Sequence, residues 1–145
     1  MYSAQIPPRR ARSVHPFHAL LLAFFFPLFS GTFLADLAYA QTYEIQWSNF
    51  AEWLNAAGLV FGGVALLAAV VSYISRRSTG GARRVLWYGA ALLAAWITGL
   101  FNAFIHARDA WGIMPDALWW SGISALLALI ASWIAWRGFP DRGDD

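Results

Sequence analysis

Residues 64–88 read VALLAAVVSYISRRSTGGARRVLWY. One apolar run ends at Arg76-Arg77, a Ser78-Thr79-Gly80-Gly81 turn follows, and Arg83-Arg84 open a second apolar run. Two helices that leave and re-enter a membrane on one side produce this pattern, with the cations held in water between them. About 20 apolar residues cross a hydrocarbon core of about 30 Å at about 1.5 Å per helical residue. Reading outward from the arginine turn, four runs reach that length: about residues 17–40, 50–75, 85–107 and 117–136. Open strands cannot satisfy their backbone in lipid, so each run is expected to be a helix. The expected fold is therefore all-α, an integral membrane four-helix bundle with up-down-up-down topology. Residues 1–16 form a basic cytoplasmic tail, 17–136 the transmembrane domain and 137–145 a cytoplasmic C-terminal tail.

Arginine sets the expected orientation. Arg9, Arg10, Arg12, Arg76, Arg77, Arg83, Arg84, Arg137 and Arg142 fall in segments of one parity, and Arg108 alone falls in the other. Cations concentrate on the cytoplasmic side, so both termini are expected there. Tryptophan agrees. Trp47, Trp53, Trp111, Trp119 and Trp120 lie near the outer boundary, and Trp87, Trp133 and Trp136 near the inner one with Tyr73 and Tyr88. Such rings favour the headgroup level. Only Trp96 falls mid-span.

Composition points the same way. Of 145 residues, 59% are hydrophobic and 12% charged, against about 25% charged in a soluble domain. The cations are clustered between apolar runs instead of spread over a polar face, so nucleic acid is not an expected partner. Cysteine is absent, which excludes disulfides, thiolate metal sites and a cysteine nucleophile. No P-loop, G-x-S-x-G, H-E-x-x-H or dinucleotide fingerprint occurs. A rival reading makes the first run a cleaved signal peptide, since Arg9-Arg10 precede it and Ala38-Tyr39-Ala40 end it before Gln41. The run is long for a signal and holds Asp36. Cleavage would leave three helices and an outward N-terminus.

Polar residues inside a span are costly and therefore informative. Thr98, Asn102, His106 and Asp109 form one helical stripe leading to the outer end of the third span. Asp36 lies near the outer end of the first span, and Glu52 and Asn55 start the second at the same level. With Arg108 they are expected to converge as an outer polar cluster of Asp36, Asn102, His106, Arg108 and Asp109. Two roles are open to it. Asp36 or Asp109 could pair with Arg108 while His106 bonds a carbonyl, as a structural cap. Alternatively the cluster holds a proton, an ion or a ligand. At the inner end, His15 and His18 are either headgroup contacts or a ligand and relay pair. Gly58 and Gly62 share one face of the second helix, as close contacts within the bundle or as the seam of a homodimer. No cofactor or metal is expected. Haem is the one to test, and His18 and His106 sit about one membrane thickness apart, roughly 30 Å, too far to share one iron.

Three stretches carry a family resemblance: His15-Pro16-Phe17-His18 with Phe26-Pro27 and Asp36; Trp53-Leu54-Asn55-Ala56-Ala57-Gly58; and Asn102-Ala103-Phe104-Ile105-His106-Ala107-Arg108-Asp109-Ala110-Trp111. From about His15 to Trp136 the chain resembles the family of small bacterial inner-membrane proteins termed domain of unknown function 2231. The resemblance implies a four-helix membrane domain without an assigned activity. Relatives are sometimes joined to Rieske-type iron–sulfur domains, which implies a redox neighbourhood. This chain has Ala19 where the family usually has proline, and lacks a further histidine before Phe26-Pro27.

The expected function is that of a non-catalytic structural or accessory subunit of the bacterial inner membrane, beside another membrane or redox subunit. The alternatives are a haem-binding, cytochrome-b-like carrier and a small transporter or proton channel. A channel needs charges near its midplane, where this chain offers only Trp96 and Thr98.

Overall fold

The computed structural model describes residues 16–76, 82–108 and 110–137. They form four helices: α1 Pro16–Thr42, α2 Ile45–Arg76, α3 Ala82–His106 and α4 Asp116–Trp136, with a short 3-10 turn at Ala110–Gly112. All four are long and apolar enough to cross a membrane. No strand occurs among the described residues.

The loop expected around Gln41–Asn49 narrows to Tyr43 and Glu44, because α2 starts at Ile45, about one turn before the apolar run at Phe50. Apolar composition marks the hydrocarbon, whereas a helix continues through Gln46, Ser48 and Asn49 into the polar layer. Tyr43 takes a left-handed φ of 55°. Its N–H still donates to the Tyr39 carbonyl at 2.8 Å, and the Glu44 N–H donates to Thr42 Oγ1 at 3.3 Å. The reversal is therefore tight.

Helix α2 has its large apolar side chains on the outside. Val60, Val64, Leu67, Val71 and Ile74 are exposed, while Ala51, Asn55, Gly58, Gly62, Ala65 and Ala69 are buried. Helix α4 repeats the arrangement, burying Ala117, Ser121, Ser124, Ala128, Ala131, Ser132 and Ala135. Water would punish such a surface; lipid does not. In lipid, close approach through small residues replaces hydrophobic drive. Helix α1 fills what these small faces leave open, with Leu22, Phe25, Phe29 and Tyr39 fully buried.

Helix α1 packs on α2 and α4, and α3 packs on the same two. Position numbers fall along α2 as they rise along α1: Gly31 meets Leu54, Phe29 meets Gly58 and Phe25 meets Gly62. The same holds between α2 and α3, where Asn55 Nδ2 donates to the Gly99 carbonyl at 3.0 Å and Trp96 Nε1 to the Leu59 carbonyl at 3.0 Å. Between α3 and α4, Ser124 Oγ donates to Thr98 Oγ1 at 3.0 Å, and the Phe101 and Trp120 rings stack at 5.1 Å. Across the diagonal, α1 and α3 keep a constant separation of 70 residues at His18–Tyr88 and again at Asp36–His106.

Gly58 and Gly62 are therefore used inside the chain. A methyl at Gly58 would lie 3.2 Å from the Phe29 ring, one at Gly62 would run into the Phe25 ring, and one at Gly99 into the Phe29 ring. Nothing lies within 4 Å of a methyl at Gly89. Overpacking of a filled core costs about 1–3 kcal/mol. Gly62→Ala and Gly99→Ala should each lower the thermal melting temperature in detergent clearly, while Gly89→Ala should leave it unchanged or slightly raised.

Candidate functional site: a buried acid–histidine pair

Nearly two turns before the end of α1, Asp36 is wholly buried. An ionisable group there needs a partner, and α3 supplies one. His106 closes that helix, and its Nε2 lies 2.9 Å from Asp36 Oδ1. The two side chains are 2% and 0% exposed respectively. His106 Nδ1 lies 3.0 Å from the carbonyl oxygen of Asn102, one turn earlier on the same helix. The ring is thus held at both nitrogens, and its plane is set by α3 itself.

Buried polar side chains come from every helix, among them Thr32, Asn55, Asn102 and Ser121. Thr32 donates to the Leu28 carbonyl at 3.0 Å and Ser121 to the Ala117 carbonyl at 2.8 Å, so both are satisfied within their own helices. Asn55 spends its amide on Gly99, and its Oδ1 has no partner among the described residues. Among those residues, Oδ1 and Nδ2 of Asn102 and Asp36 Oδ2 have none either. Tyr39, Ile105, Ile113 and Ala117 cluster at this end, with Met114 and Trp120 packed against them. Glu52, exposed on α2, is near enough for its charge to act on His106.

Among the described residues, Arg108 stands apart from the expected cluster. Arg108 reaches neither Asp36 nor His106. Its Nη1 meets Asp116 Oδ2 at 3.4 Å, and these side chains are 60% and 55% exposed. The reason is that α3 ends at His106. The Arg108 N–H closes a three-residue turn on the Ile105 carbonyl at 3.0 Å, and its side chain reaches the exposed Asp116 beyond the helix end. Asp109 and His15 lie outside the described residues.

His18 stands at the opposite end of the bundle. Its Nε2 is 2.8 Å from Tyr88 Oη, and the rings meet edge to face at 5.5 Å. Reading Tyr88 as an interfacial ring concealed this partnership. The 70-residue spacing it shares with Asp36–His106 was the available signal. Eighteen residues of α3 separate Tyr88 from His106, about 27 Å at about 1.5 Å per residue. One haem cannot bridge the two histidines, and iron on His106 would have to displace Asp36 or the Asn102 carbonyl. Among the described residues no group of three or more His, Asp or Glu gathers around a metal-sized space. The pair can bind a proton and form hydrogen bonds.

Removing one member of a buried pair costs about 3–5 kcal/mol, because the other is left uncompensated. Asp36→Ala should therefore lower the detergent melting temperature strongly. Asp36→Asn, which still bonds His106, should lower it less. Exposed pairs contribute about 0–1 kcal/mol, so Arg108→Ala should change almost nothing.

No curated protein and no solved structure matches the chain. Residues 14–143 match the family described as predicted membrane protein, DUF2231, and the chain, with its four helices able to span a membrane, belongs to that family.

Proposed function

We propose that this is a multi-pass protein of the bacterial inner membrane, arranged up-down-up-down with both termini in the cytoplasm. It acts as a structural or accessory subunit without catalysis of its own. The observation that carries this reading is the apolar block between the two polar ends. Leu22, Phe25, Phe29, Leu92, Ala95 and Ala128 are all fully buried there. A carrier of ions or protons needs polar groups through the midplane, and a block of this kind separates Asp36–His106 from His18–Tyr88. The opposed running order of contacts along successive helices supports the up-down-up-down path. The arginine distribution supports the orientation. The redox neighbourhood rests on the Rieske-linked relatives that the family resemblance implies.

The same packing supports retention of α1. Phe25 and Phe29 fill the notches of α2 and α3, and Asp36 holds His106. Loss of residues before Gln41 would empty the core of its largest side chains.

Three measurements test the proposal. A reporter fused after Asp145 should be active only in the cytoplasm; activity on the far side would overturn the orientation. The mature chain should retain α1 by intact mass, and an N-terminus at Gln41 would leave three spans. The detergent-purified protein should show no Soret band. A stoichiometric one would replace the structural reading with that of a cytochrome-like carrier.

A further inference from the structure

His106 presents both ring nitrogens to oxygen. Nδ1 faces the Asn102 carbonyl at 3.0 Å, and Nε2 faces the Asp36 carboxyl at 2.9 Å. A carbonyl oxygen only accepts, so Nδ1 carries a proton. A neutral imidazole protonated at Nδ1 has a lone pair at Nε2. That lone pair, held 2.9 Å from a carboxylate oxygen, would be repelled. The contact is attractive only when one further proton lies between Nε2 and Oδ1, on either atom. With that proton the buried pair is neutral overall.

At and below the pair, four buried polar atoms have no partner among the described residues: Asp36 Oδ2, Oδ1 and Nδ2 of Asn102 one turn earlier on α3, and Asn55 Oδ1, whose amide reaches the Gly99 carbonyl. They come from three helices and comprise three acceptors and one amide donor. A bare buried polar group costs about 1–3 kcal/mol. Water offers two donors and two acceptor sites, and a buried water is held by about two to four polar partners. A metal cation suits the set less well, because it cannot accept from Nδ2 and would add net charge beside a neutral pair.

We propose that Asp36 and His106 form a hydrated proton-binding site that holds one proton per chain and exchanges it with water at the Asp36 end of the bundle alone. Uptake places a proton from water between Nε2 and Oδ1. Release returns that proton to water and leaves one negative charge on Asp36. The remaining ring proton then serves either Asp36 or the Asn102 carbonyl, but not both. Loss of the bridging proton therefore costs one of the two bonds that fix the last turn of α3. Among the described residues the titratable groups around the site are Asp36 and Tyr39 from α1, Glu52 from α2 and His106 from α3; α4 brings Ala117 against Tyr39. The Arg108–Asp116 pair stays outside, exposed. Toward the other end, the block containing Phe25, Phe29 and Leu92 closes the path. This inference stands apart from the accessory-subunit reading.

The test is 15N NMR of histidine-labelled full chain in micelles, with His106 assigned by single His15→Gln and His18→Gln variants, alongside infrared spectra. At pH 7, two results fit. Either both His106 nitrogens are protonated, or Nδ1 alone is and Asp36→Asn removes a carboxylic C=O band. Raising the pH should then remove one proton and shift the His106 signals. In Asp36→Asn the ring should be singly protonated over the same range. After transfer to deuterated water, the bridging proton should exchange faster than the backbone amides from Ala95 to Gly99, and Asn102→Leu should slow it. A wild-type ring singly protonated at pH 7 with no carboxylic band overturns the proton site, and needs no variant to fold. A bridging proton that exchanges no faster than those amides overturns its hydration.

Discussion

Phe25 and Phe29 stand where the four helices must come together, and neither exposes any surface. Their rings contact each other edge to face at 5.1 Å and occupy the space that Gly58, Gly62 and Gly99 leave by lacking a side chain. Because lipid is as apolar as any core side chain, the helices gain little from hiding hydrocarbon and much from close contact. Two rings seated against three glycines permit one vertical registration. Slide α1 by one turn and one ring takes the other's seat, while the second is left without a glycine to receive it. That registration places Asp36 against His106 at one end and His18 against Tyr88 at the other.

The span count was legible because crossing hydrocarbon demands length, and four runs have it. Which face of each span turns inward was less so. In a soluble helix, hydrophobicity separates inside from outside; in α2, valine and leucine lie outward and alanine and glycine inward, and all count as apolar. Size, not polarity, carried the signal, and Gly58 with Gly62 was its readable fragment. Asp36 announced a need for a partner because a lone acid in a span is expensive. His106 was within the expected set for that reason. Arg108 was expected in the set because it leaves its span at the level of Asp36, but the turn that follows His106 carries it out to Asp116. Asn55 was seen as a polar group at the start of α2, but its bond to the Gly99 carbonyl depends on a glycine leaving that backbone reachable.

The two ends of the bundle are built on different principles. At the His18 end, a phenol and an imidazole meet edge to face. At the Asp36 end, an acid meets an imidazole beside a cluster of Tyr39, Ile113 and Ala117, with Trp120 packed against it. Between them Trp96 reaches the Leu59 carbonyl and Thr98 the Ala94 carbonyl, 2.9 Å away, while the buried Ser132 Oγ has no partner among the described residues. Hydrogen-bonding capacity in the interior is mostly absorbed locally, which makes the unmet atoms around Asn102 stand out.

The 70 residues between Asp36 and His106 also set a clock for biosynthesis. Ribosomes add about 5–20 residues each second. The first helix therefore reaches the insertion machinery several seconds before the histidine that will neutralise its acid has been made. During that interval α2 is beside it, but α2 brings glycines and alanines, with no cation to meet Asp36. The nascent first hairpin must wait with an unpaired carboxyl, sheltered by the machinery or by water at the bilayer edge, until α3 arrives. Membrane entry of the second hairpin is then drawn by a partner already in place, so the chain assembles as two halves that complete each other.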